Sequence, residues 1–227
     1  MNKLSLIILA AGAGTRMKST IPKVLHKISG KEMLYYSIKE ALKLSDDVTV
    51  VLYHQAKLVQ ERMEKYFSNV NFVIQDHENY PGTGGAVMGI TPKYEKTLVL
   101  NGDMPLIQSS ELEKFQQHDD TIVMSVLKLD NPNGYGRVVI ENDKVQKIVE
   151  QKDASDAQKL IKTVNAGIYQ FDTAFLLENL PKLSNANVQK EYYITDLVEI
   201  AISASKTLFP LLVSEENFKG VNSKVEL

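Results

Sequence analysis

The chain alternates short apolar runs with amphipathic stretches, and this alternation predicts its secondary structure. The first apolar run, Leu4 to Leu9, leads into small residues and is typical of a central parallel strand. Similar runs alternate with helical periodicity through the first half of the chain, which predicts βαβ units and a doubly wound sheet. The predicted strands there are Leu4 to Leu9, Val48 to Tyr53, Phe72 to Gln75 and Thr97 to Leu100, and the predicted helices are Met33 to Leu44, Lys57 to Phe67 and Gly84 to Ile90.

Beyond Asp103 the pattern changes to longer strands. Two of them, Gly136 to Glu141 and Val145 to Glu150, flank Asn142-Asp143 and predict a β-hairpin. We therefore predict an α/β fold with a doubly wound, mixed but mostly parallel sheet and a smaller β-rich lobe, in one domain whose halves cover residues 1–110 and 111–227. The other elements predicted in the second half are strands at Thr121 to Leu129 and Val164 to Phe171 and a helix at Thr195 to Ala204.

Composition narrows the class of protein. With 227 residues and 44% hydrophobic content, the chain can bury a sizeable core. Lysine and arginine total 26 against 28 acidic residues, so net charge does not favour nucleic-acid or membrane partners. The absence of cysteine excludes disulfides, thiolate catalysis and cysteine-ligated zinc. We expect a cytoplasmic protein.

Glycines and two cations follow the first strand. Gly12 and Gly14 allow backbone N–H groups to approach a phosphate, and Arg16 and Lys23 can add positive charge. A dinucleotide site would need a third glycine where Met17 stands, and a P-loop motif does not match at either glycine. The loop alone is also compatible with a plain strand-to-helix turn, so a phosphate site depends on other segments.

Two such segments carry suitable chemistry. Asp103 follows a predicted strand, at the edge where open α/β sheets bind ligands, and a single carboxylate suits Mg²⁺ when a nucleotide supplies further oxygens. Gln75 ends another strand, and Gly82 and Thr83 begin a predicted helix. An amide together with exposed N–H groups suits the edge of a uracil base. Each residue taken singly is also compatible with an ordinary turn.

The opening loop contains Leu9-Ala10-Ala11-Gly12-Ala13-Gly14-Thr15-Arg16-Met17 and Pro22-Lys23-Val24-Leu25. These two segments resemble the signature of nucleoside-triphosphate sugar-1-phosphate transferases. Later motifs extend the resemblance over nearly the whole chain, and they are most similar to the uridyltransferase half of bacterial bifunctional N-acetylglucosamine-1-phosphate uridyltransferases. The resemblance implies a GT-A-like nucleotidyltransferase fold. It also implies Mg²⁺-dependent transfer of a uridylyl group from UTP to N-acetylglucosamine 1-phosphate, giving pyrophosphate and the UDP-N-acetylglucosamine used for cell-wall precursors.

The resemblance implies a role for each matching residue. Arg16 would neutralise the pyrophosphate leaving group, and Lys23 the phosphates near the reacting centre. Asp103 and the asparagine of Gly220-Val221-Asn222 would hold Mg²⁺. The implied nucleotide-binding residues are Leu9, Ala10, Ala11, Gly12, Gly14, Gln75, Gly82 and Thr83, and the implied sugar-binding residues are Gly136, Glu150, Asn165 and Thr195.

Some positions depart from the family pattern. Gln75 lies seven positions before Gly82, farther than expected, Gly85 replaces a frequent histidine, and Asn101 replaces a frequent aromatic residue that stacks on the sugar. A related transferase that uses another nucleotide or sugar would have the same opening loop but different residues in the base and sugar pockets. A non-catalytic nucleotide-sugar sensor would be expected to have lost Lys23 or the metal aspartate. An NAD-dependent oxidoreductase is disfavoured by the missing third glycine.

The family's bifunctional members continue into a left-handed β-helix that acetylates glucosamine 1-phosphate and forms trimers. Hexapeptide repeats of that kind do not occur before Leu227. We therefore expect no acetyl transfer from this chain, and we expect the full-length protein to be trimeric through that further domain.

Overall fold

The computed structural model describes residues 3–12, 14, 17–141, 144–221, 223, 225 and 227. The strands are β1 (Leu4–Ala10), β2 (Lys27–Ile28), β3 (Lys31–Glu32), β4 (Asp47–Leu52), β5 (Asn71–Ile74), β6 (Lys96–Asn101), β7 (Ile122–Lys128), β8 (Arg137–Glu141), β9 (Lys144–Val149), β10 (Thr163–Asp172) and β11 (Leu208–Leu212). The α-helices are α1 (Met33–Ala41), α2 (Ala56–Met63), α3 (Gly82–Val87), α4 (Ser109–Leu112), α5 (Asp156–Lys159), α6 (Thr173–Asn179), α7 (Asp196–Ser203) and α8 (Glu215–Phe218). Short 3₁₀ turns occupy Lys23–Leu25, Glu113–Gln117 and Leu180–Lys182.

One mixed sheet organises the molecule. Its main order is β11-β7-β10-β6-β1-β4-β5, and the β8–β9 hairpin joins it through β10. The four strands β6, β1, β4 and β5 run parallel, whereas β10 is antiparallel to both of its neighbours in this order. The predicted α/β fold with a mixed sheet is confirmed.

Alternation along β1 divides the core into two layers. Leu4, Leu6 and Ile8 pack on one face of the sheet with apolar residues of α1 and α2. Ile7 lies on the other face, in a cluster that includes residues of α3, α6 and α7. Because successive side chains of a strand point to opposite faces, a strand with apolar residues on both faces must be covered on both sides. Helices therefore lie on both faces, as a doubly wound sheet requires.

Most predicted elements lie within a few residues of their predicted bounds, but several elements were not predicted. These are the small β2–β3 hairpin, α4, α5, α6, β11 and α8. The predicted hairpin of β8 and β9 is present as an antiparallel pair, and its turn residues Asn142 and Asp143 lie outside the described residues. No helix in the part of the chain that the structure describes is long and apolar enough to cross a lipid bilayer.

The parallel strands determine where a ligand can bind. The carboxyl ends of β6, β1, β4 and β5 meet at a single edge, so the loops that follow these strands are neighbours in space. The predicted residues Gly12, Lys23, Gln75 and Asp103 each follow one of these strands. The strand order therefore brings together segments that lie far apart in the sequence.

Candidate active site

A cleft of about 430 Å³ lies at the carboxyl edge of the parallel strands. Its walls come from the loop after β1, the segments after β4, β5 and β6, the start of α3 and the segment before α7. The residues that line it are Leu9, Ala10, Ala11, Gly12, Lys23, Val24, Tyr53, Gln75, His77, Gly82, Thr83, Ala86, Asn101, Asp103 and Glu191. Most of the predicted nucleotide-binding residues thus share one cleft.

The glycine loop packs tightly against the segment that carries Lys23. Gly14 has a backbone φ of +60°, and a Cβ placed there would stand 2.6 Å from the Cβ of Lys23. Only glycine satisfies both the conformation and the close approach. The predicted catalytic residue Arg16 lies outside the described residues.

Lys23 and Asp103 form an ion pair at one end of the cleft. The ammonium of Lys23 donates a hydrogen bond to Oδ2 of Asp103, and both side chains are only 15% exposed. Lys23 follows Pro22 in a 3₁₀ turn, and Asp103 lies two residues beyond β6. A partly desolvated pair of this kind keeps a positive and a negative charge where phosphate and metal would meet.

The segment after α8 lies against Asp103. The N–H of Val221 donates to the backbone carbonyl of Asp103 at 2.9 Å, and a Cβ on Gly220 would stand 3.4 Å from Oδ1 of the same aspartate. Asn222, the second predicted metal ligand, lies outside the described residues.

The donor chemistry around Asp103 fits Mg²⁺. Mg²⁺ is usually held by one or two carboxylates, with phosphate and water oxygens filling its remaining positions. Asp103 supplies one carboxylate in the cleft, and within the described ranges no group of three or more histidine, cysteine, aspartate or glutamate residues forms a self-sufficient metal cage. A metal held here would therefore depend on oxygens supplied by a ligand and by water.

Gln75 lies at the other end of the cleft with its amide nitrogen already engaged. Nε2 donates to the carbonyl of Tyr80 at 2.8 Å and to that of Gly82 at 3.0 Å. These two bonds use both amide hydrogens, which leaves Oε1 as the group that a ligand can approach. The five residues between Gln75 and Pro81 thus form a loop that folds back onto the glutamine, and the long spacing does not remove Gln75 from the cleft.

A segment that we call the strap, Glu191–Ile194, crosses the start of α3. The N–H of Gly84 donates to the carbonyl of Tyr192 at 2.8 Å, and the N–H of Ile194 donates to Oγ1 of Thr83 at 3.1 Å. Gly82 has a φ of +91°, and a Cβ there would stand 2.7 Å from the Tyr192 carbonyl oxygen. The strap therefore depends on glycine at position 82, and it carries Glu191 into the cleft.

The four predicted sugar-binding residues are connected to one another. The N–H of Asn165 donates to the carbonyl of Gly136 at 2.9 Å, and a Cβ on Gly136 would stand 3.4 Å from Oε2 of Glu150. The hydroxyl of Thr195 donates to Oε1 of Glu150 at 3.3 Å. Burial raises the pKa of Glu150, and the Thr195 hydrogen bond partly opposes this rise.

The four predicted sugar-binding residues lie beside the main cleft, and one contact between them and the cleft runs through Asn101. Glu150 and Thr195 line a separate cavity of about 380 Å³, whereas Gly136 and Asn165 line neither that cavity nor the cleft. The turn after Asn165 makes the link, because a Cβ on Gly167 would stand 2.8 Å from Nδ2 of Asn101. Asn101 itself lines the cleft, so it lies between the two groups of residues.

Two aromatic residues of the cleft were missed by reasoning from the sequence. Tyr53 is the first residue after β4, and His77 lies two residues after Gln75, and both line the cleft. The sequence did contain an indication of both, because each lies at the carboxyl end of a strand predicted to be parallel, where ligands bind. Neither has the glycines or charges that drew attention elsewhere.

Comparison with known proteins gives the family. Residues 5–215 match the model of the family described as nucleotidyl transferase. The bifunctional protein GlmU of Aliarcobacter butzleri is 77% identical over all of this chain and 52% of its own length, and that of Helicobacter pylori is 48% identical over 98% of this chain and 52% of its own. The chain thus spans about half the length of these relatives.

Solved structures agree on the fold. The inositol-1-phosphate CTP transferase from T. maritima superposes with a TM-score of 0.75 at 17% identity, covering 99% of this chain and 91% of its own. HddC from Yersinia pseudotuberculosis superposes with a TM-score of 0.66 at 22% identity, covering 92% of this chain and 90% of its own. At such identities the likeness concerns the fold alone. The family match over residues 5–215, together with the high identity to the GlmU proteins, shows that this chain belongs to the nucleotidyl transferase family.

Proposed function

We propose that the chain transfers a uridylyl group from UTP to N-acetylglucosamine 1-phosphate, releasing pyrophosphate and forming UDP-N-acetylglucosamine. The observation that carries this proposal is the arrangement of the cleft. The charged pair of Lys23 and Asp103 lies at one end, and Gln75 offers a hydrogen-bond acceptor at the other. The similarity to the GlmU proteins supports the same assignment.

The reaction needs no protein nucleophile. An ionised oxygen of the sugar phosphate forms a bond to the α-phosphorus of UTP, and the bond from that phosphorus to the oxygen bridging the α and β phosphates breaks as pyrophosphate leaves. Because the attacking oxygen is already ionised near neutral pH, a general base is not required. The protein's contribution is to position the two phosphates and to neutralise their charge.

Residues of this chain supply that neutralisation. The ammonium of Lys23 is held in the cleft by Asp103, close to the glycine loop whose N–H groups can face phosphate oxygens. Asp103 and Asn222 would hold Mg²⁺, which when bound supplies Lewis-acid stabilisation of the phosphate oxygens. We assign Arg16 to the pyrophosphate end.

Gln75 accounts for the choice of base. Uracil presents an N3–H donor, whereas cytosine presents an acceptor at the same position. Since Nε2 of Gln75 is occupied by two backbone carbonyls, its free oxygen favours the donor of uracil. Glu150, Asn165, Gly136 and Thr195 are proposed to contact the amino sugar.

The test is a pyrophosphate-release assay with Mg²⁺ across UTP, CTP, dTTP and GTP, each with N-acetylglucosamine 1-phosphate and with glucose 1-phosphate. We expect the highest kcat/KM for UTP with the N-acetylated sugar. Asp103→Asn should lose Mg²⁺-dependent turnover with little change in unfolding temperature, whereas Asp130→Asn, which alters a fully exposed carboxylate, should retain it. Release with another nucleotide only, or normal metal dependence in Asp103→Asn, contradicts the proposal.

A cytoplasmic location, and assembly of a longer chain into trimers, stay predictions.

A further inference from the structure

Two aromatic rings stack on each other in the wall of the cleft. The rings of Tyr53 and His77 have centroids 4.3 Å apart and planes inclined by only 10°. Both residues line the cleft, and Tyr53 is 45% exposed. The phosphate chemistry described above uses neither ring.

The pair lies at the end of the cleft that carries Gln75. Tyr53 directly follows β4, and the N–H of Gln75 donates to the carbonyl of Leu52 at 2.7 Å, which continues the β4–β5 pairing to this point. In the order β6-β1-β4-β5 the Asp103 loop follows β6, whereas the two rings follow β4 and β5. The rings and the ion pair are therefore on opposite sides of the β1 loop.

The loop that carries Tyr53 is attached to the loop after β1. Nε2 of Gln55 donates to the carbonyl of Thr20 at 3.0 Å. The ring of His77 supports one face of the tyrosine ring, so Tyr53 loses little side-chain freedom when a ligand binds. Pre-organised aromatic surface of this kind adds affinity efficiently.

We propose that the Tyr53–His77 pair is the stacking wall of the nucleobase site. Tyr53 contacts the face of the base, His77 is a positioning residue that holds the tyrosine ring, and Gln75 contacts the edge of the base. The inference rests on the proposed function in one respect, namely that the cleft binds a nucleoside triphosphate. Stacking recognises any base, so the pair sets nucleotide affinity while Gln75 sets base preference.

The test measures binding without chemistry, by titration calorimetry of UTP, CTP and inorganic tripolyphosphate in the absence of sugar phosphate. We expect Tyr53→Ala to weaken UTP and CTP by a similar factor of about tenfold, the size of effect that loss of one base-stacking ring produces. Tripolyphosphate, which has no base, should bind as it does to the wild type. Tyr53→Phe keeps the ring and should retain wild-type affinity, and His77→Ala should show a smaller loss than Tyr53→Ala.

The His118–Phe209 pair provides a matched control. These rings also stack, with centroids 3.8 Å apart, and neither residue lines the cleft. His118→Ala should therefore leave UTP affinity unchanged. In the full reaction, Tyr53→Ala should raise KM for UTP with kcat nearly constant.

Three results would overturn the inference. One is unchanged UTP affinity in Tyr53→Ala, and another is an equal loss of UTP and tripolyphosphate, which would show general damage to the cleft. The third is wild-type protein that binds tripolyphosphate but no nucleoside triphosphate, and this result would contradict the proposed function as well. Wild-type UTP binding with an unaffected Tyr53→Ala variant contradicts the stacking wall alone.

Discussion

Lys23 places a positive charge in the cleft, next to the negative charge of Asp103. Its ammonium pairs with Asp103, a residue 80 positions away, and both side chains are largely shielded from water. Charges in such a setting interact more strongly than charges on the open surface. Substituting this lysine should affect the chemical step more than the fold.

We predict that Lys23→Ala lowers kcat by about 100-fold or more, as loss of a charge-stabilising donor usually does. The measurement is steady-state pyrophosphate release, with circular dichroism to verify folding. Lys43→Ala is the matched control, since it removes a half-exposed lysine that pairs with Glu40. A folded Lys23→Ala variant with kcat within threefold of the wild type would exclude the proposed role.

At the scale of elements, the strap is held to α3 by contacts that leave no room at Gly82. The carbonyl of Tyr192 accepts from Gly84, and the N–H of Tyr192 donates to the carbonyl of Pro81 at 2.8 Å. The helix start and the strap are therefore joined by these two backbone hydrogen bonds. Both contribute residues to the cleft, so a displaced strap should alter nucleotide binding.

We predict that Gly82→Ala destabilises the fold and raises KM for UTP, because the new Cβ would meet the Tyr192 carbonyl oxygen at 2.7 Å. Overpacking of this kind costs about 1–3 kcal/mol in the free energy of unfolding, in addition to the strain of a positive φ. Gly89→Ala isolates the strain, since Gly89 has a φ of +80° with open space around it. Urea denaturation and steady-state kinetics are the measurements. Equal effects in the two variants would show that the strap contact is unimportant.

Two of the elements that were not predicted, β11 and α6, have recognisable features in the sequence. β11 contains Pro210, which argues against a central strand, and β11 is in fact an edge strand paired only with β7 among the described strands. α6 begins after Asp172, whose carboxylate accepts from the N–H of Phe175 at 3.0 Å. This N-cap was visible in the sequence, but the strand before it runs directly into the helix and concealed the boundary.

In the whole molecule, acidic residues from several segments lie close together beside the four proposed sugar-binding residues. Glu150, Asp153, Asp196 and Glu199 line the 380 Å³ cavity. Burial, together with the negative charges of Glu199, Glu150 and Asp153, raises the pKa of Asp196 to about 6. The folded protein therefore holds this proton more tightly than the unfolded chain does.

The contribution of Asp196 to the free energy of unfolding is thus greatest below the ordinary pKa of 3.8. It is lost as the pH rises through about 6. We predict that Asp196→Asn unfolds at a temperature higher than the wild type by about 2 °C or more at pH 7.5, and that the difference disappears near pH 4. Thermal unfolding from pH 4 to pH 8 measures it. Asp156→Asn, at a fully exposed carboxylate in the first turn of α5, should lack this pH dependence. A constant difference between Asp196→Asn and the wild type across the range would contradict the prediction.

The parallel strands and the chemistry at their carboxyl ends could be predicted from the sequence, because apolar runs, glycine loops and strand ends are local patterns. The sequence was sufficient to select Lys23, Gln75 and Asp103 as candidates. The contacts between these residues could not be predicted in this way, since they depend on the order of strands in the sheet, and that order depends on packing over the whole chain. The folded structure supplies them. It paired Lys23 with Asp103, bonded the amide nitrogen of Gln75 to two backbone carbonyls, and stacked Tyr53 on His77. A linear pattern does not contain these contacts, because each joins side chains from different loops or depends on how one loop folds back.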